Sequence, residues 1–425
     1  MTYPAALQWL SSHVPRSVTA TYPGQQGLDR TRQLLALLGN PQDQIFVIHV
    51  AGTSGKGSTA AFIAAALRSH GFRVGLSIKP YIFDVRERFQ INGKLGTQSM
   101  VARAISQVRS AVDQMCDQPS YFEVLTVIMY HLFASEHCRY AVVETGLGGT
   151  FDATNTVNRS NKMVVLTRVG HDHTRILGQT LKKIAVHKAG IIHSGNLVFT
   201  LNQSPSIQTV IRRRVRQVAA ILDRSTFQVP SLRLSMIGTH QQENAHLALR
   251  VVAACANRDG WSMDWSHSLA AVSAVRLPAR SELGHLGSLP VFIDGAHNPQ
   301  KMRALTQLVA DYFGSGVATF LVAFKAGKDV RRMLVKIGPV AHRVILTTFT
   351  HRHYSSIRSL SARTLESLIS STMNDRSQVI PSSVEALKEA VSEQRPLVIT
   401  GSLYFCATMY SMLYTAGYQR DGASV

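Results

Sequence analysis

Residues 45–67, IFVIHVAGTSGKGSTAAFIAAAL, constrain the fold more than any other stretch of this chain. The apolar residues 45–50 predict a strand buried on both faces, the glycine-rich residues 52–57 predict a turn, and an Ala-rich segment with strong helix propensity begins at Ser58. In this order, glycines let backbone N–H groups converge on an anion at the positive end of a helix. Lys56 adds a mobile cation, and Ser58 supplies the hydroxyl that such loops place on Mg²⁺. The stretch therefore predicts a phosphate-binding loop, with a glycine-rich turn that binds nothing as the alternative.

The spacing of this loop is unusual. Gly52 precedes Gly55 by only three positions, and Gly57 is inserted between Lys56 and Ser58, whereas the common loop reads G-x-x-x-x-G-K-[ST]. The phrase GTSGKGS, preceded by HVA, resembles the ATP-binding loop of the Mur ligase superfamily and, within it, of the folylpolyglutamate and dihydrofolate synthases. This resemblance implies that the nucleotide contacts Gly52, Thr53, Ser54, Gly55, Lys56, Gly57 and Ser58.

The chain is strongly basic. Its 45 Lys and Arg against 25 Asp and Glu among 425 residues leave a net charge of +20, which attracts polyanions such as nucleic acids, nucleotides or substrates with several carboxylates. A general basic bias without such a partner is the alternative. The densest basic group, Arg212, Arg213, Arg214 and Arg216, has no interleaved aromatic residue, so a nucleic-acid partner is not expected.

Length and cysteine content limit which classes of protein this chain can belong to. The length suggests about two to three domains. Cys116, Cys138, Cys255 and Cys406 lie far apart with no C-x-x-C pair, so neither a zinc site nor a disulfide framework is indicated, and a reducing cytosol fits. The N-terminus lacks the pattern of a signal peptide, and no apolar run approaches the ~20 residues that span a bilayer. We therefore expect a soluble, cytoplasmic monomer without membrane contacts.

The resemblance extends beyond the loop. The phrase GLDRTRQLLALLGNPQ before it is close to how folylpolyglutamate synthases enter their loop, and the pairs Glu-Arg at 87–88 and Asn-Gly at 92–93 match the family after it. Lys79, Pro80 and Tyr81 depart from the family's Ser-Pro-His, because an ammonium and a phenol replace a hydroxyl and an imidazole. The resemblance assigns this region to the pterin-bearing substrate, so the departure leaves the acid substrate open. A solvated connection that tolerates any polar residue is the alternative.

Two motifs predict magnesium ligands. The apolar run YAVVE ends at Glu144, and ligands of an open parallel sheet sit beyond the carboxyl ends of its strands. A carboxylate beside a triphosphate needs a cation between them, so Glu144 is a Mg²⁺ ligand candidate, unless backbone N–H groups of the following glycines satisfy it. The phrase VGHDHTRILG matches the family at Asp172 and His173, and the resemblance makes His173 a ligand of a second Mg²⁺. A zinc site at His171 and His173 would lack a third ligand motif.

Lys188 lies on the apolar face of a predicted helix over residues 179–192, which it shares with Leu181 and Ile184. From the residues alone, a packed stem with its head snorkelling to water is the simple interpretation. The resemblance implies instead that this lysine, in the family's K-A-G-I, is carbamylated by CO₂. The adduct converts a cation that is costly beside Mg²⁺ into an anion able to hold the metal-binding network.

Further polar residues follow predicted turns. Gln241 and Asn244 match the family's H-Q-x-x-N, which the resemblance places near the adenine, although helix capping explains them on sequence alone. Arg280 stands in LPAR where the family has Trp-Pro-Gly-Arg, and an arginine at a hinge can clamp a triphosphate bidentately. Asp294 and His297, in DGAHNP, follow the next predicted strand and would face the nucleotide.

Strands and helices alternate along the whole chain, which predicts an α/β fold with largely parallel sheets. We expect an N-terminal P-loop-type ATPase domain, of the central Mur-ligase type, over residues 1–282. A smaller, Rossmann-like C-terminal domain is expected over residues 283–425. Residues 284–290 are expected to form a short linker-like stretch.

The resemblance covers nearly the whole chain and implies ATP-dependent ligation of L-glutamate to a folate-type carboxylate. ATP, with two Mg²⁺ ions, would convert the acid into an acyl phosphate, which the amine of glutamate attacks. In this interpretation Lys56, Lys188 and His297 are the catalytic residues. Three alternatives stay open: a Mur-type ligase for a non-folate acid, a nucleic-acid-stimulated P-loop ATPase, and a non-catalytic binding protein.

Overall fold

The structure, a computed structural model, describes residues 1–14, 22–225, 232–350, 359–372 and 376–421. The chain forms two compact units. The N-terminal unit comprises Met1–Ser235 and Thr239–Val275, and the C-terminal unit comprises Met236–Gly238 and Arg276–Val425. The long segment of the second unit therefore begins at Arg276, a few residues before the expected boundary after residue 282.

The N-terminal unit is built on an eight-stranded sheet. Its strands are β1 (Phe46–Ala51), β2 (Val74–Ser77), β3 (Gln90–Ile91), β4 (Lys94–Leu95), β5 (Tyr140–Glu144), β6 (Met163–Leu166), β7 (Leu197–Thr200) and β8 (Ile221–Leu222). They lie in the order 4-3-2-5-1-6-7-8, and all neighbours are parallel except β2 with β3 and β3 with β4. β1 is almost fully buried and lies between β5 and β6. The carboxyl ends of these three strands therefore meet at one edge of the sheet.

Helices cover both faces of this sheet. Within the described ranges they are α1 (Tyr3–Ser12), α2 (Gly24–Leu37), α3 (Lys56–Ser69), α4 (Gln98–Val112), α5 (Tyr121–Ser135), α6 (Thr174–Leu177), α7 (Leu181–Ala189), α8 (Pro205–Gln217), α9 (Thr239–Asp259) and α10 (Trp265–Ser273). α3 begins two residues before the predicted start, because Gly55 takes a left-handed conformation that ends the loop. The residues of α3 from Gly57 to Leu67 are all buried. Its alanines let the helix pack closely against α9, which holds the start of α3 in place.

The C-terminal unit is a second, smaller α/β unit. Its strands are β9 (Glu282–Leu286), β10 (Leu289–Ile293), β11 (Thr319–Val322), β12 (Arg343–Leu346), β13 (Ser377–Val379), β14 (Leu397–Thr400) and β15 (Tyr418–Arg420), in the order 13-12-11-14-10-9-15. Its helices are α11 (Pro299–Phe313), α12 (Val330–Ile337), α13 (Ala362–Thr372), α14 (Ser383–Ser392) and α15 (Leu403–Thr415). β10 to β14 pair in parallel, whereas β9 and β15 are antiparallel. Both sheets are mostly parallel, which confirms the predicted fold class.

No helix in the described part of either unit is long and apolar enough to span a bilayer.

The expectation of a linker over residues 284–290 is wrong. β9 and β10 form an antiparallel hairpin there, with Leu286 opposite Leu289 and Gly287 in the left-handed region at φ 62°. The residues ELGHL of β9 do not predict a strand from the sequence. Apolar and polar side chains alternate only weakly in this segment, and a glycine lies at its centre.

A buried carboxylate ties this hairpin to the end of the chain. Glu282 Oε2 accepts hydrogen bonds from the Ala279 N–H at 3.1 Å and from the Tyr410 hydroxyl at 2.5 Å, and it pairs with Arg420. Glu282 Oε1 accepts a hydrogen bond from the Tyr418 hydroxyl at 3.1 Å. Burial and the Glu282 charge raise the pKa of both tyrosines, so their hydroxyls stay protonated donors. The carboxylate thus joins β9, α15, β15 and the segment before β9.

Substitution Glu282→Gln removes the charge opposite Arg420 and turns an amide N–H₂ toward groups that are themselves donors. We expect the free energy of unfolding of the C-terminal unit to fall by about 2–3 kcal/mol, measured by urea denaturation. Glu366→Gln, at an exposed position of α13, is the matched control and should change it by less than about 0.5 kcal/mol. Equal stability of the two variants would contradict the proposed role of this network.

Candidate active site

Two glycines in the loop between β1 and α3 are required by close contacts. Gly52 and Gly55 have φ angles of 149° and 86°, which L side chains rarely adopt. A Cβ atom on Gly52 would lie 1.9 Å from Thr167 Oγ1, and one on Gly55 would lie 2.4 Å from Asn244 Oδ1. The loop backbone therefore lies directly against Thr167 and Asn244, as glycine alone permits.

Hydrogen bonds to the segment after β6 hold the loop in place. The N–H groups of Thr53 and Ser54 donate to the Arg168 carbonyl at 2.9 and 3.2 Å. Thr53 Oγ1 donates to the Gly170 carbonyl at 2.9 Å. Because these two N–H groups are already engaged, the backbone donors for an anion come from the first turn of α3.

The first turn of α3 fits a phosphate. As the first residues of a helix, Lys56, Gly57 and Ser58 have N–H groups without an acceptor inside the helix, and the helix dipole is positive there. The buried hydroxyls of Ser54 and Thr59 have no hydrogen-bond partner among the described residues. Unpaired buried polar groups beside a helix N-terminus are satisfied by a bound anion, so the residues present fit the phosphates of a nucleotide.

Glu144 lies beside this turn. It ends β5 opposite Val50 of β1 and is 7% exposed. Glu144 Oε2 accepts a hydrogen bond from the Lys79 N–H at 2.9 Å, and Oε1 lies 3.6 Å from Lys56 Nζ. An added Cβ on Gly57 would lie 3.3 Å from Oε2. The N–H that satisfies this carboxylate therefore comes from Lys79 after the neighbouring strand, and not, within the described residues, from the glycines that follow it.

The donor set suits a magnesium ion next to a phosphate. Ser58 is 3% exposed in the first turn of α3, and Glu144 faces the same turn. Both offer oxygen ligands, which Mg²⁺ prefers, and Mg²⁺ completes its shell with phosphate oxygens and water. Ser58 and Glu144 therefore fit one nucleotide-bound Mg²⁺.

The two histidines of the H-x-H phrase give no zinc site. His173 precedes α6, its side chain is 45% exposed, and its Nε2 lies 3.8 Å from Asp172 Oδ1. Across the described ranges, no three or more His, Cys, Asp and Glu side chains form a group that could hold a metal ion. The zinc interpretation of His171 and His173 therefore lacks ligands.

Lys188 points at the phosphate loop. It lies on α7, is 6% exposed, and its Nζ donates a hydrogen bond to the Gly52 carbonyl at 2.6 Å. Burial and the neighbouring Lys56 and Lys79 lower the pKa of this amine well below its ordinary value, against the opposite effect of Asp172. The snorkelling interpretation is wrong, because the head of this lysine is buried and not in water.

Lys79 belongs to the same site. Besides the hydrogen bond from its N–H to Glu144, its ammonium lies 5.8 Å from the centroid of the Phe122 ring. Burial and then Lys56 lower the pKa of Lys79 to about 8. Arg88 lies on the same ring, with Cζ 5.6 Å from its centroid. The Phe122 ring therefore makes cation–π contacts with both Lys79 and Arg88. The apolar pattern of α5 does not predict these contacts.

Gln241 and Asn244 lie on α9 and are both buried. Asn244 Nδ2 donates a hydrogen bond to Gln241 Oε1 at 3.3 Å, and Asn244 abuts Gly55 of the loop. Asn244 lies beyond the first turn of α9, so helix capping does not explain it. The structure thus brings Asn244 to the phosphate loop, and a contact of Gln241 and Asn244 with the nucleotide base stays a prediction.

In the C-terminal unit, the candidates Arg280 and Asp294 are linked through the backbone. Ala279 and Ser281, on either side of Arg280, have φ angles of 51° and 48°, and the Ser281 N–H donates to Asp294 Oδ2 at 2.8 Å. Left-handed conformations at residues other than glycine persist where the surroundings hold them. The segment that carries Arg280 is therefore held in a strained conformation next to Asp294.

The third candidate of this unit, His297, is oriented by two contacts. Its Nδ1 lies 2.8 Å from the Gly295 carbonyl, which makes Nδ1 the donor, and its Nε2 lies 3.2 Å from Lys301 Nζ. A fixed tautomer with an accepting Nε2 suits a histidine that takes part in binding or proton transfer.

Asp152 is a site residue that the sequence patterns did not single out. Its Oδ1 accepts a hydrogen bond from the Thr154 N–H at 3.1 Å, and its Oδ2 accepts one from the Leu147 N–H at 2.5 Å. It shapes the turn after β5 and acts electrostatically on Lys79 and Lys188. The phrase FDATN around it is the signal that could have indicated it.

A parallel sheet with a phosphate loop after its central strand, joined to a second α/β unit, defines a two-domain ligase fold of the Mur type. The crystal structures of Mycobacterium tuberculosis folylpolyglutamate synthase complexed with ADP and AMPPCP share this fold, with a TM-score of 0.85, 27% identity, and coverage of 97% of this chain and 99% of that one. A family model described as "Dihydrofolate synthetase, C-terminal domain" matches residues 284–412.

Curated relatives define the family. The dihydrofolate synthase/folylpolyglutamate synthase of Bacillus subtilis (strain 168) is 30% identical over 440 residues, which cover 97% of this chain and 99% of the relative. The folylpolyglutamate synthase of Lacticaseibacillus casei is 30% identical over 416 residues, which cover 90% and 94%. The chain belongs to the folylpolyglutamate synthase/dihydrofolate synthase family, whose members are ATP-dependent ligases that add glutamate to folates. This confirms the enzyme class that the sequence predicts.

Gly55→Ala tests the contact between the loop and α9. Its Cβ would meet Asn244, whereas Gly71→Ala, at a similar φ of 79°, would meet nothing within 4 Å. Both variants should lose about 1 kcal/mol of stability through backbone strain, but Gly55→Ala should in addition weaken Mg-ATP binding at least about tenfold. Calorimetric titration with Mg-ATP measures the difference. Equal nucleotide affinity of the two variants would contradict the assignment of the loop.

Proposed function

We propose that this chain joins L-glutamate to a folate-type acid through an acyl phosphate, with ATP bound at the loop between β1 and α3. The observation that carries this proposal is the combination of unpaired buried hydroxyls, Lys56 and Glu144 at the first turn of α3. The γ-phosphoryl group of ATP passes to a carboxylate oxygen of the acid and ADP leaves. The glutamate amine then attacks the acyl carbon, the C–O bond to phosphate breaks, and the nitrogen loses a proton.

The protein's part in this reaction is to neutralise and align charges. Lys56 and the N–H groups that begin α3 stabilise the negative charge on the transferring phosphoryl group. Ser58 and Glu144 would hold a Mg²⁺ ion, which neutralises phosphate oxygens when it is bound. In the same proposal Gln241 and Asn244 contact the nucleotide base, His173 takes part in metal binding, and Arg280, Asp294 and His297 act on the nucleotide and the reacting groups.

Lys188 is proposed to act as a carbamate. Carbamylation requires a neutral amine, and burial together with Lys56 lowers the pKa of Lys188 in the direction that favours one. Its Nζ already faces the Gly52 carbonyl of the phosphate loop. The amine nitrogen forms a bond to the carbon of CO₂ and releases a proton, which leaves an anion beside the cations of the site.

The region that the resemblance assigns to the acid substrate departs from the family's pattern, because Lys79 and Tyr81 replace a hydroxyl and an imidazole. A Mur-type ligase for a non-folate polycarboxylate is therefore the second candidate. We further propose that the enzyme works in the cytoplasm, since its four cysteines are free thiols, which fits a reducing compartment. That it works as a monomer is likewise a proposal.

The test is ADP release with Mg-ATP and L-glutamate in the presence of dihydropteroate, tetrahydrofolate or no acceptor, with mass spectrometry of the products. A glutamylated product with either acceptor supports the proposal and identifies the acceptor. Turnover at background with every folate acceptor would overturn the folate assignment and favour another polycarboxylate acid. Turnover stimulated by DNA or RNA and indifferent to glutamate would overturn the ligase assignment itself.

Glu144→Gln removes the carboxylate charge beside the loop while it keeps the shape of the side chain. We expect turnover to fall about 100-fold or more with no change of fold, because charge alignment at the phosphates is lost. Steady-state ADP release and circular dichroism measure the two effects. Glu136→Gln, at the end of α5, is the control and should retain activity. Retained turnover in Glu144→Gln would remove this residue from the proposed metal site.

Depletion of CO₂ and bicarbonate tests the Lys188 carbamate. Turnover should fall severalfold after depletion and recover when bicarbonate is added, because the carbamate forms reversibly. Isotopically labelled bicarbonate should give a carbamate carbon signal by NMR that is absent from Lys188→Ala and present in Lys183→Ala, an exposed lysine of the same helix. No signal in the unsubstituted enzyme would refute the modification.

A further inference from the structure

A large share of the excess positive charge of this chain lies in one stretch, which includes α7 and α8. Residues 173–222 contain eight Lys and Arg and no Asp or Glu. The two helices pack against each other, so their basic side chains belong to one region of the N-terminal unit. No carboxylate of the same stretch opposes this charge, and the region therefore attracts anions.

The arginines of α8 divide into one that is held by the fold and three that face solvent. The buried side chains of this helix follow a spacing of four residues, at Ile207, Ile211 and Val215. Arg214 is half-buried, and its Nε and Nη2 donate to the Ile192 carbonyl at 3.2 and 2.8 Å. Arg212, Arg213 and Arg216 are exposed. In the described part of the chain, none of these three forms an ion pair with a carboxylate.

Two hollows in the surface follow α8. One, of about 420 Å³, lies between α7 and α8, and the other, of about 430 Å³, is lined by exposed residues of α8. Arg213 and Gln217 line both hollows, so the two form one continuous surface, which we call the α8 groove. Val186 and Val210 line the first hollow, and Val186 is 57% exposed. The α8 groove therefore combines guanidinium groups with exposed apolar side chains.

The α8 groove reaches the segment that carries Lys188. Ala189 and Gly190, which directly follow this lysine, line the groove together with Thr150. The Thr150 N–H and Oγ1 donate to the His187 carbonyl at 2.8 and 3.1 Å, which ties the turn after β5 to α7. A flexible chain that leaves the reacting centre past this turn therefore meets the arginines of α8.

The chemistry of the α8 groove suits the tail of a folate that already carries several glutamates. Each added glutamate uses one carboxylate of the acceptor and brings two, so the tail gains one negative charge per addition. Arginine pairs with such carboxylates bidentately, and the methylene groups between them can contact the two valines. Single-stranded nucleic acids bind by stacking bases on aromatic side chains, and α8 has no aromatic residue.

We propose that the α8 groove binds the glutamate tail of the acceptor, so that this enzyme prefers folates with several glutamates to those with one. This inference rests on the proposed function, in that glutamate is added to a folate-type acid at the phosphate site. Contacts remote from the reacting carboxylate form equally in the ground state and the transition state, so they lower the KM of long acceptors. Because these ion pairs are exposed, added salt weakens the preference.

The experiment compares tetrahydrofolate carrying one or five glutamates in steady-state ADP release. The unsubstituted enzyme is expected to have a KM about tenfold lower for the pentaglutamate, and this ratio should shrink as salt is added. The double variant Arg213→Gln with Arg216→Gln should bring the ratio close to one and leave kcat with the monoglutamate unchanged. Arg103→Gln with Arg109→Gln, at exposed positions of α4, changes the net charge equally and should keep the ratio of the unsubstituted enzyme.

Equal KM values for the two folates in the unsubstituted enzyme would overturn the proposal, and so would an unchanged ratio in the double variant of α8. Loss of RNA binding in that variant, with no change in the KM ratio, would assign the surface to a nucleic acid instead. Circular dichroism verifies that both double variants fold. Calorimetric titration of the two folates without ATP gives the same preference as a ratio of Kd values, so a failure of ligation leaves the α8 groove testable.

Discussion

The parallel pairing of β1 with β5 and β6 is the constraint on which the rest of the site depends. Neighbouring parallel strands end at the same edge of a sheet, so Glu144 at the end of β5 and Thr167 after β6 both meet the loop that follows β1. Gly52 and Gly55 then let the loop backbone approach Thr167 and Asn244 closely. The register of the sheet, and not nearness along the chain, assembles the phosphate site.

The buried lysines show how the surroundings decide the role of a cation. Lys162 is buried, and its Nζ donates to two carbonyls, those of Val157 at 2.7 Å and Ile191 at 2.8 Å. Such an amine is satisfied by structure alone. Lys188 is equally buried, but within the described residues its Nζ has one acceptor, the Gly52 carbonyl of the phosphate loop. The hydrogen-bond acceptors of the two amines therefore differ in kind. Lys162 stabilises the fold, whereas Lys188 contacts the phosphate loop.

In the C-terminal unit, packing and hydrogen bonds hold the strained backbone around Ala279 and Ser281 in place. Ala279 stands at φ 51°, where the family's pattern has a glycine. Its N–H donates to Glu282 Oε2 at 3.1 Å, and its carbonyl accepts the Gly295 N–H at 3.0 Å. Because Glu282 is in turn held by α15 and β15, the backbone that presents Arg280 depends on packing across the whole unit.

The sequence by itself determined the α/β class, the loop of residues 52–58, and Glu144 at the end of its strand, because period, glycine spacing and strand ends are local properties. It did not determine the β9–β10 hairpin, because β9 has a weak pattern of its own and also pairs with β15 near the far end of the described chain. The contact of Lys188 with Gly52 and the place of Lys79 between Glu144 and Phe122 were likewise decided by tertiary structure alone. Charge balance in a buried site is a sum over groups from different elements, and no local pattern contains that sum.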